Sequence, residues 1–321
     1  YKRNRYFLIN GRAGDKGIYQ YATGTKRFLG AEGTWRDAED GVLEKNPIAQ
    51  GSVDSTISFR LNLAPNESTN VYYWIAVGKN FNGVRKNNSY VLENTPEKLF
   101  RKITDYWRTW VNKREFNFFG LDQEVVNLFK QSLLIIRTQI DSHGGILAAN
   151  DSDILKEARD HYSYVWPRDA AFIALALDKA GYGEVTQRFY QFSQHVLTDG
   201  GYLLHKYNPD GSVGSSWHPW LTDGIEQLPI QEDETALVLI ALWYFFQKYR
   251  DLEFIDTLYK PLIRKAANFM VEYREQNTGL PLPSYDLWEE RRGVFTYTSA
   301  AVYGGLTAAA NFAKLFNDMY L

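Results

Sequence analysis

Leu237-Val-Leu-Ile-Ala-Leu-Trp-Tyr-Phe-Phe246 is apolar around the full turn of a helix. A surface helix keeps a polar stripe, so a run without one must be covered on most sides. Gln231-Glu-Asp-Glu234 precedes it and puts carboxylates in the first turn, where the helix dipole favours them. A buried helix is therefore expected over 231–249. Working outward, the 3.6-residue period recurs at about 121–141, 167–181, 184–197, 252–276 and from 297 onward. Pro261 should kink the 252–276 segment or start a new one, since it lacks the N–H a helix needs. No strand pattern lies between the helices. Long loops do, at about 142–166, 198–230 and 277–296, and loops of that length in a compact helical domain usually carry function.

Upstream of about residue 93 the period is two. Val53, Ile57, Phe59, Leu61 and Leu63 share one face of a strand, with Asp54, Thr56, Ser58, Arg60 and Asn62 on the other. Val71, Tyr73, Ile75 and Val77 share a face in a second strand, opposite Tyr72 and Trp74. Tyr6–Asn10 and Gly17–Ala22 are weaker strands, and Asp40-Gly41 and Asn82-Gly83 mark turns. The expected organisation is part of a β-sandwich over 1–92 and a linker helix over 93–116, capped by Thr95-Pro96. An all-helical domain follows over 117–321. The first residue is Tyr and the last stretch stops inside an amphipathic pattern, so the chain is expected to be part of a longer protein.

Composition narrows the chemistry. Lys+Arg 36 against Asp+Glu 38 leaves a net charge of −2, without the basic excess of a nucleic-acid binder. There is no apolar run of the about 20 residues that span a bilayer. Without cysteine there is no disulfide, thiolate metal site or thiol nucleophile. With no signal segment visible, the cytoplasm is the favoured compartment. The 9 Trp, 22 Tyr and 19 Phe fit either a densely packed core or a cleft for flat, CH-rich ligands such as sugars. Nucleotide, phosphate-loop, zincin and nucleophile-elbow motifs are all missing. The five histidines fall at no ligand spacing, so neither metal nor cofactor is expected. Asn150-Asp151-Ser152-Asp153 lacks calcium-loop spacing and fits a solvated turn.

Three loop clusters remain, each with a plain structural alternative. Tyr162-Ser-Tyr-Val-Trp166-Pro-Arg168-Asp169 has ordinary helix-start chemistry, but also joins aromatics to a donor–acceptor pair suited to hydroxyls. Gly200-Gly-Tyr-Leu-Leu-His205 through Trp217-His-Pro-Trp220 reads as aromatic loop lining. Ser284-Tyr-Asp286-Leu-Trp288-Glu289-Glu290-Arg291-Arg292-Gly293 fits a charged surface loop. It equally fits a proton donor, because an apolar wall and a like-charged neighbour raise a carboxyl pKa.

With these motifs in order the chain resembles glycoside hydrolase family 15, the glucoamylase family, in its bacterial and archaeal branch. Trp35-Arg-Asp-Ala-Glu-Asp-Gly41, Gly51-Ser-Val-Asp-Ser55 and Tyr73-Trp-Ile-Ala-Val-Gly78 resemble its sandwich domain. Val165-Trp-Pro-Arg-Asp-Ala170, Leu228-Pro-Ile-Gln-Glu-Asp-Glu234 and Tyr285-Asp-Leu-Trp-Glu-Glu-Arg291 resemble its helical barrel. The resemblance implies an (α/α)6 barrel of six helix pairs, of which about the first half is expected here. It implies an inverting, exo-acting hydrolase that releases glucose from the non-reducing ends of α-glucans. Glu289 would be the general acid, with Asp286 and Glu290 as binding neighbours and Trp288 packed nearby. Arg168 and Asp169 would hold the terminal glucose, beside the aromatic surface of Tyr162 and Trp166. Gln231 and Asp233 are weaker candidates. Replacing Arg168 or Asp169 should cripple hydrolysis and leave the fold mostly intact. The family's base, a Glu of the barrel's second half, has no counterpart in these residues, which makes that half the expected partner. A trehalase or α-1,6-preferring glucosidase of the same family, or a non-catalytic carbohydrate-binding fragment, are the alternatives.

Overall fold

The helical segments appear close to their expected bounds in the computed structural model, which describes residues 5–26, 32–150 and 162–319. The chain divides into two compact units, Tyr1–Thr109 and Trp110–Leu321. Asp151 and Asp153 of the acidic turn lie outside the described residues.

In the first unit β1 (Tyr6–Ala13) pairs antiparallel with β4 (Val71–Gly78), placing Ile9 opposite Ile75. β2 (Gln20–Thr25) pairs antiparallel with β3 (Val53–Ser58), placing Ala22 opposite Thr56. The strand expected over 53–63 stops at Ser58. Among the described residues between β2 and β3, a short helix, α1 (Thr34–Asp37), runs into a 3-10 turn over Ala38–Asp40.

Residues expected to be β up to about 92 instead include a helix, α2 (Phe81–Asn94). Asn82-Gly83 is its first turn rather than a hairpin: the Asn80 side chain caps it by accepting from the Gly83 N–H at 2.8 Å. Asn88 on α2 accepts from the Trp74 indole at 3.0 Å and from Asn10 at 3.1 Å. The covered side of β4 is therefore the one carrying Tyr72, Trp74 and buried Ala76, while Val71, Tyr73, Ile75 and Val77 are exposed. α3 (Pro96–Val111) starts at the Thr95-Pro96 cap, and the boundary between the units falls inside it.

The second unit is helical. In chain order it holds α4 (Gln123–Thr138), α5 (Pro167–Lys179), α6 (Gly183–Val196), α7 (Glu232–Tyr249), α8 (Leu252–Leu258), α9 (Lys265–Glu272) and α10 (Thr296–Leu315). Pro261 acts as expected. The segment breaks between α8 and α9 into a wide π-helical turn over Tyr259–Arg264, the arrangement that absorbs a missing N–H. α7 packs between α5 and α10. Gly305 of α10 lies so close that a Cβ there would meet the Ala236 Cα at 2.9 Å, so the α7–α10 contact depends on a residue without a side chain. One flank of α7 stays open: Tyr244 is exposed, as are Tyr303 on α10 and Phe172 on α5. Among the described residues no helix is long and apolar enough to cross a membrane.

The long loops are tied to one another. Val165 and Tyr207 exchange backbone hydrogen bonds at 2.8 and 3.0 Å, and the Tyr285 N–H donates to the Ile230 carbonyl at 3.0 Å. These bonds hold the segment before α5, the loop after α6, which carries the small hairpin β5–β6 (Leu221–Thr222, Ile225–Glu226), and the hairpin β7–β8 (Ser284–Tyr285, Arg292–Gly293) around the start of α7.

Candidate active site

Three chain segments far apart in sequence converge on the Glu289 carboxyl. Glu289 sits at the turn of β7–β8 with φ 65°, in the left-handed region, and its N–H donates to the Asp286 carbonyl at 2.9 Å. Asp286 organises that turn: its Oδ1 accepts from the N–H groups of Glu290 at 2.9 Å and Arg291 at 3.2 Å. Its carbonyl also accepts from Gln231 Nε2 at 2.7 Å, which docks the hairpin onto the start of α7. Trp288 and Glu290 project outward, Trp288 being 76% exposed, whereas the Glu289 side chain is only 15% exposed.

The wall beside Glu289 is Trp166, the residue before α5, rather than the adjacent Trp288. Trp166 Nε1–H donates to Glu289 Oε1 at 2.9 Å, and His205 Nε2 lies 3.0 Å from the same oxygen. Burial raises the Glu289 pKa, but the His205 hydrogen bond and the charges of His205, His218 and Arg168 outweigh it. The carboxyl is held below its ordinary value, opposite to the shift that a Trp wall and a neighbouring Glu would produce. The reason is geometric: Glu290 points to solvent, and the Arg168 guanidinium and two imidazoles occupy the space expected for apolar surface.

Arg168 is buried between two helix starts. Its Nη1 donates to Gln231 Oε1 at 2.6 Å and Asp233 Oδ2 at 3.3 Å, with Glu234 Oε1 at 3.9 Å. Its Nη2 faces Asp169 at 3.9 Å and Glu289 at 4.0 Å. Burial disfavours the guanidinium charge, but the charges of Glu234, Asp233 and Asp169 outweigh that and raise its pKa. Arg168 therefore also braces the fold, which corrects the expectation that its loss would leave folding mostly intact. Asp169 is half exposed and has no such role. Tyr162, 65% exposed, stacks on Trp166 with ring centroids 5.8 Å apart.

Several site residues had no signal in their spacing. His205, 1% exposed, turns Nδ1 to Ser216 Oγ at 2.8 Å. His218 stacks flat on Tyr285 at 3.9 Å and on His205 at 4.2 Å, and burial pushes its pKa down to about 4. The ligand atoms of His205, His218 and Glu289 lie within 4.8 Å of one another. The two imidazoles are nearly parallel, however, 27° apart, so their in-plane lone pairs do not converge on one ion. The Lys206 ammonium lies 3.8 Å from the centroid of Trp217 and 4.6 Å from that of Tyr164, in cation–π geometry.

Glu232, Asp233 and Glu234 are all fully buried. A polar helix start beside an all-apolar run did carry a signal here, since α7 can bury its apolar faces only by taking its first turn inside with them. Burial, reinforced by the Asp233 charge and opposed by Arg274, pushes Glu232 up to about 8 from 4.5. The folded state thus holds the Glu232 proton more tightly than the unfolded chain does. Its contribution is fully present below about pH 4.5 and is lost as pH rises through about 8. Glu232→Gln, a neutral isostere, is expected to leave stability unchanged near pH 4.5. At pH 8.5 it should raise it by about 2–4 kcal/mol relative to wild type. Urea unfolding of the full-length protein at several pH values measures this, and parallel profiles for the two proteins would exclude a buried neutral Glu232.

Residues 127–320 match the family model of the glycosyl hydrolases family 15. Over 290 residues the chain is 28% identical to an uncharacterized glycosyl hydrolase of Methanocaldococcus jannaschii, covering 88% of this chain and 43% of that protein. Over 307 residues it is 22% identical to Trehalase 2 of Sulfolobus acidocaldarius, covering 86% and 50%. A crystal structure of a bacterial glucoamylase complexed with acarbose superposes with a TM-score of 0.71 at 20% identity, over 99% of this chain and 42% of that one. At that identity the likeness shows the fold. The chain spans half or less of the length of each of these proteins.

Proposed function

The chain belongs to the glycosyl hydrolases of family 15, and from that premise we propose that it carries the general acid and the terminal-sugar site of an inverting, exo-acting α-glucosidic hydrolase. The observation that carries this reading is the Glu289 carboxyl. It is largely enclosed, bound at one oxygen by Trp166 and His205, and lies 4.0 Å from the Arg168 guanidinium. Protonated, this carboxyl can donate to a glycosidic oxygen as the bond breaks, and because its pKa is held below the ordinary value the donor form is populated on the acid side of neutrality. Asp169, half exposed beside Arg168 Nη2, accepts hydroxyls of the terminal glucose, while Nη2 donates to them. The Tyr162–Trp166 stack offers the flat face on which a sugar ring rests. Asp286, Trp288 and Glu290 flank the acid and meet the sugar beyond the scissile bond, Asp286 through the turn it organises.

An inverting pair stands ~6.5–9.5 Å apart, with water between the base and the sugar. In this reading the base comes from a partner segment that completes an (α/α)6 barrel, of which these helices are about the first half. The open flank of Tyr244, Tyr303 and Phe172 supports that, because a closed toroid would cover it.

The test is the anomer of the first product. Proton NMR of the full-length enzyme acting on maltose should show β-glucose first, decaying to the anomeric mixture. The α-anomer first would overturn the inverting assignment. Similarity to Trehalase 2 supports a second reading, and faster turnover of trehalose than of maltose would favour it.

A further inference from the structure

We propose that His205 is the positioning residue of the acid: it holds Glu289 Oε1 and thereby reserves Oε2 as the oxygen that carries the proton to the substrate. This inference rests on the reading of Glu289 as the acid.

The hydrogen-bond inventory around the carboxyl supports it. Glu289 Oε1 lies 2.9 Å from Trp166 Nε1 and 3.0 Å from His205 Nε2. An indole N–H can only donate. Trp166 Nε1 is also 3.2 Å from His205 Nε2, but its one hydrogen serves the nearer carboxylate oxygen. His205 Nδ1 meets the Ser216 hydroxyl at 2.8 Å, and a hydroxyl can donate as readily as accept. With Ser216 donating to Nδ1, the ring hydrogen of His205 sits on Nε2 and points at Oε1. Oε1 then accepts two N–H bonds, and a third proton on that oxygen would be crowded out. The acid proton is left on Oε2. A carboxyl free to rotate would divide its proton between two oxygens, only one of them aimed at the glycosidic bond. Here the choice is made by the fold.

The surroundings keep His205 in place. It is 1% exposed, with the His218 ring stacked on one face and the Trp217 ring meeting it edge-on at 5.0 Å. His218 in turn stacks on Tyr285, at the base of the hairpin that carries Glu289. The imidazole and the carboxyl it holds are thus parts of one packed unit.

The charged groups facing Glu289 come from three elements. Arg168 approaches from α5, His205 and His218 from the loop after α6, and Glu234 from the start of α7, its own carboxyl held protonated chiefly by burial, with the Glu289 charge adding to that. The first three favour the ionised carboxylate, and burial opposes it. Removing the His205 donor while keeping the rest should let burial assert itself, so that Glu289 holds its proton to higher pH.

The experiment uses the full-length enzyme with His205→Ala and His205→Gln. The Gln amide can place an N–H where Nε2 lies. The first readout is difference infrared titration of the Glu289 carboxyl, identified by its loss in Glu289→Gln. The second is the pH profile on maltose. His205→Ala should raise the carboxyl titration and the alkaline limb together by about one pH unit. It should also cost roughly 10–100-fold in kcat on maltose, with little change in KM. His205→Gln should restore most of the titration and at least a tenth of the rate. An unchanged carboxyl titration in His205→Ala would overturn the positioning role and leave Glu289 as the acid. So would equal losses in the Ala and Gln variants with no movement of the limb, which would mark a packing residue. Wild-type turnover of maltose by Glu289→Gln would overturn the acid assignment, and this proposal with it.

Discussion

Glu289→Gln in the full-length enzyme loses roughly 10²–10⁴ in rate on maltose and far less on α-glucosyl fluoride. A sugar alkoxide leaves poorly without a proton, whereas fluoride needs little help. The substitution is clean in this site. The amide oxygen can keep both N–H bonds, from Trp166 and His205, and the amide nitrogen takes the place of the oxygen that carried the proton. The melting temperature should therefore stay close to wild type, and the alkaline limb of the pH profile, which reports the acid, should vanish while the acidic limb persists. Glu290→Gln should depress both substrates evenly and keep both limbs, because Glu290 is exposed and its backbone, not its side chain, is bound by Asp286. Steady-state assays on the two substrates decide between the neighbours. Equal loss on both by Glu289→Gln, with the fluoride spared by Glu290→Gln, would assign the acid to Glu290.

The second large effect separates two residues that stand side by side in the sequence. Asp169→Asn should lower hydrolysis on the order of 10²–10⁴-fold, since a site built to hydrogen-bond hydroxyls discriminates strongly when one acceptor is lost. Its stability cost should be small, because the Arg168–Asp169 contact is 3.9 Å and half exposed. Arg168→Ala should abolish activity and also destabilise by about 1–3 kcal/mol, because it leaves Gln231 and Asp233 buried without their donor, while burial already favours the protonated forms of Asp233 and Glu234. Urea unfolding beside kinetics checks both. Asp169→Asn with near-normal turnover and a large drop in stability would make the pair a structural helix start.

The parts legible in the sequence were the local ones. The all-apolar run at 237–246 announced a covered helix, Thr95-Pro96 announced a helix start, and Pro261 announced a break. Each rests on a rule spanning a few residues: a helical period, a cap, a missing N–H. The Trp288-Glu289-Glu290 triplet pointed to the family for the same reason, as a short motif read in place. What surrounds Glu289 was not legible. Trp166 meets Glu289 across 123 positions of chain and His205 across 39, and no periodicity connects residues so far apart.

Alternation along β4 likewise gave two faces without saying which is covered. The answer came from α2, whose Asn88 binds Trp74, and the covered side is the one opposite the aliphatic set. Charge states depended on tertiary structure most of all. Glu289 beside Trp288 and Glu290 suggested a raised pKa, yet packing turned those neighbours outward and brought in Arg168 and two histidines. Sequence determines which groups a site has to work with and where local structure presents them. Whether a carboxyl meets a cation, an indole N–H or water is a matter of a few ångströms, and only the folded chain sets those distances.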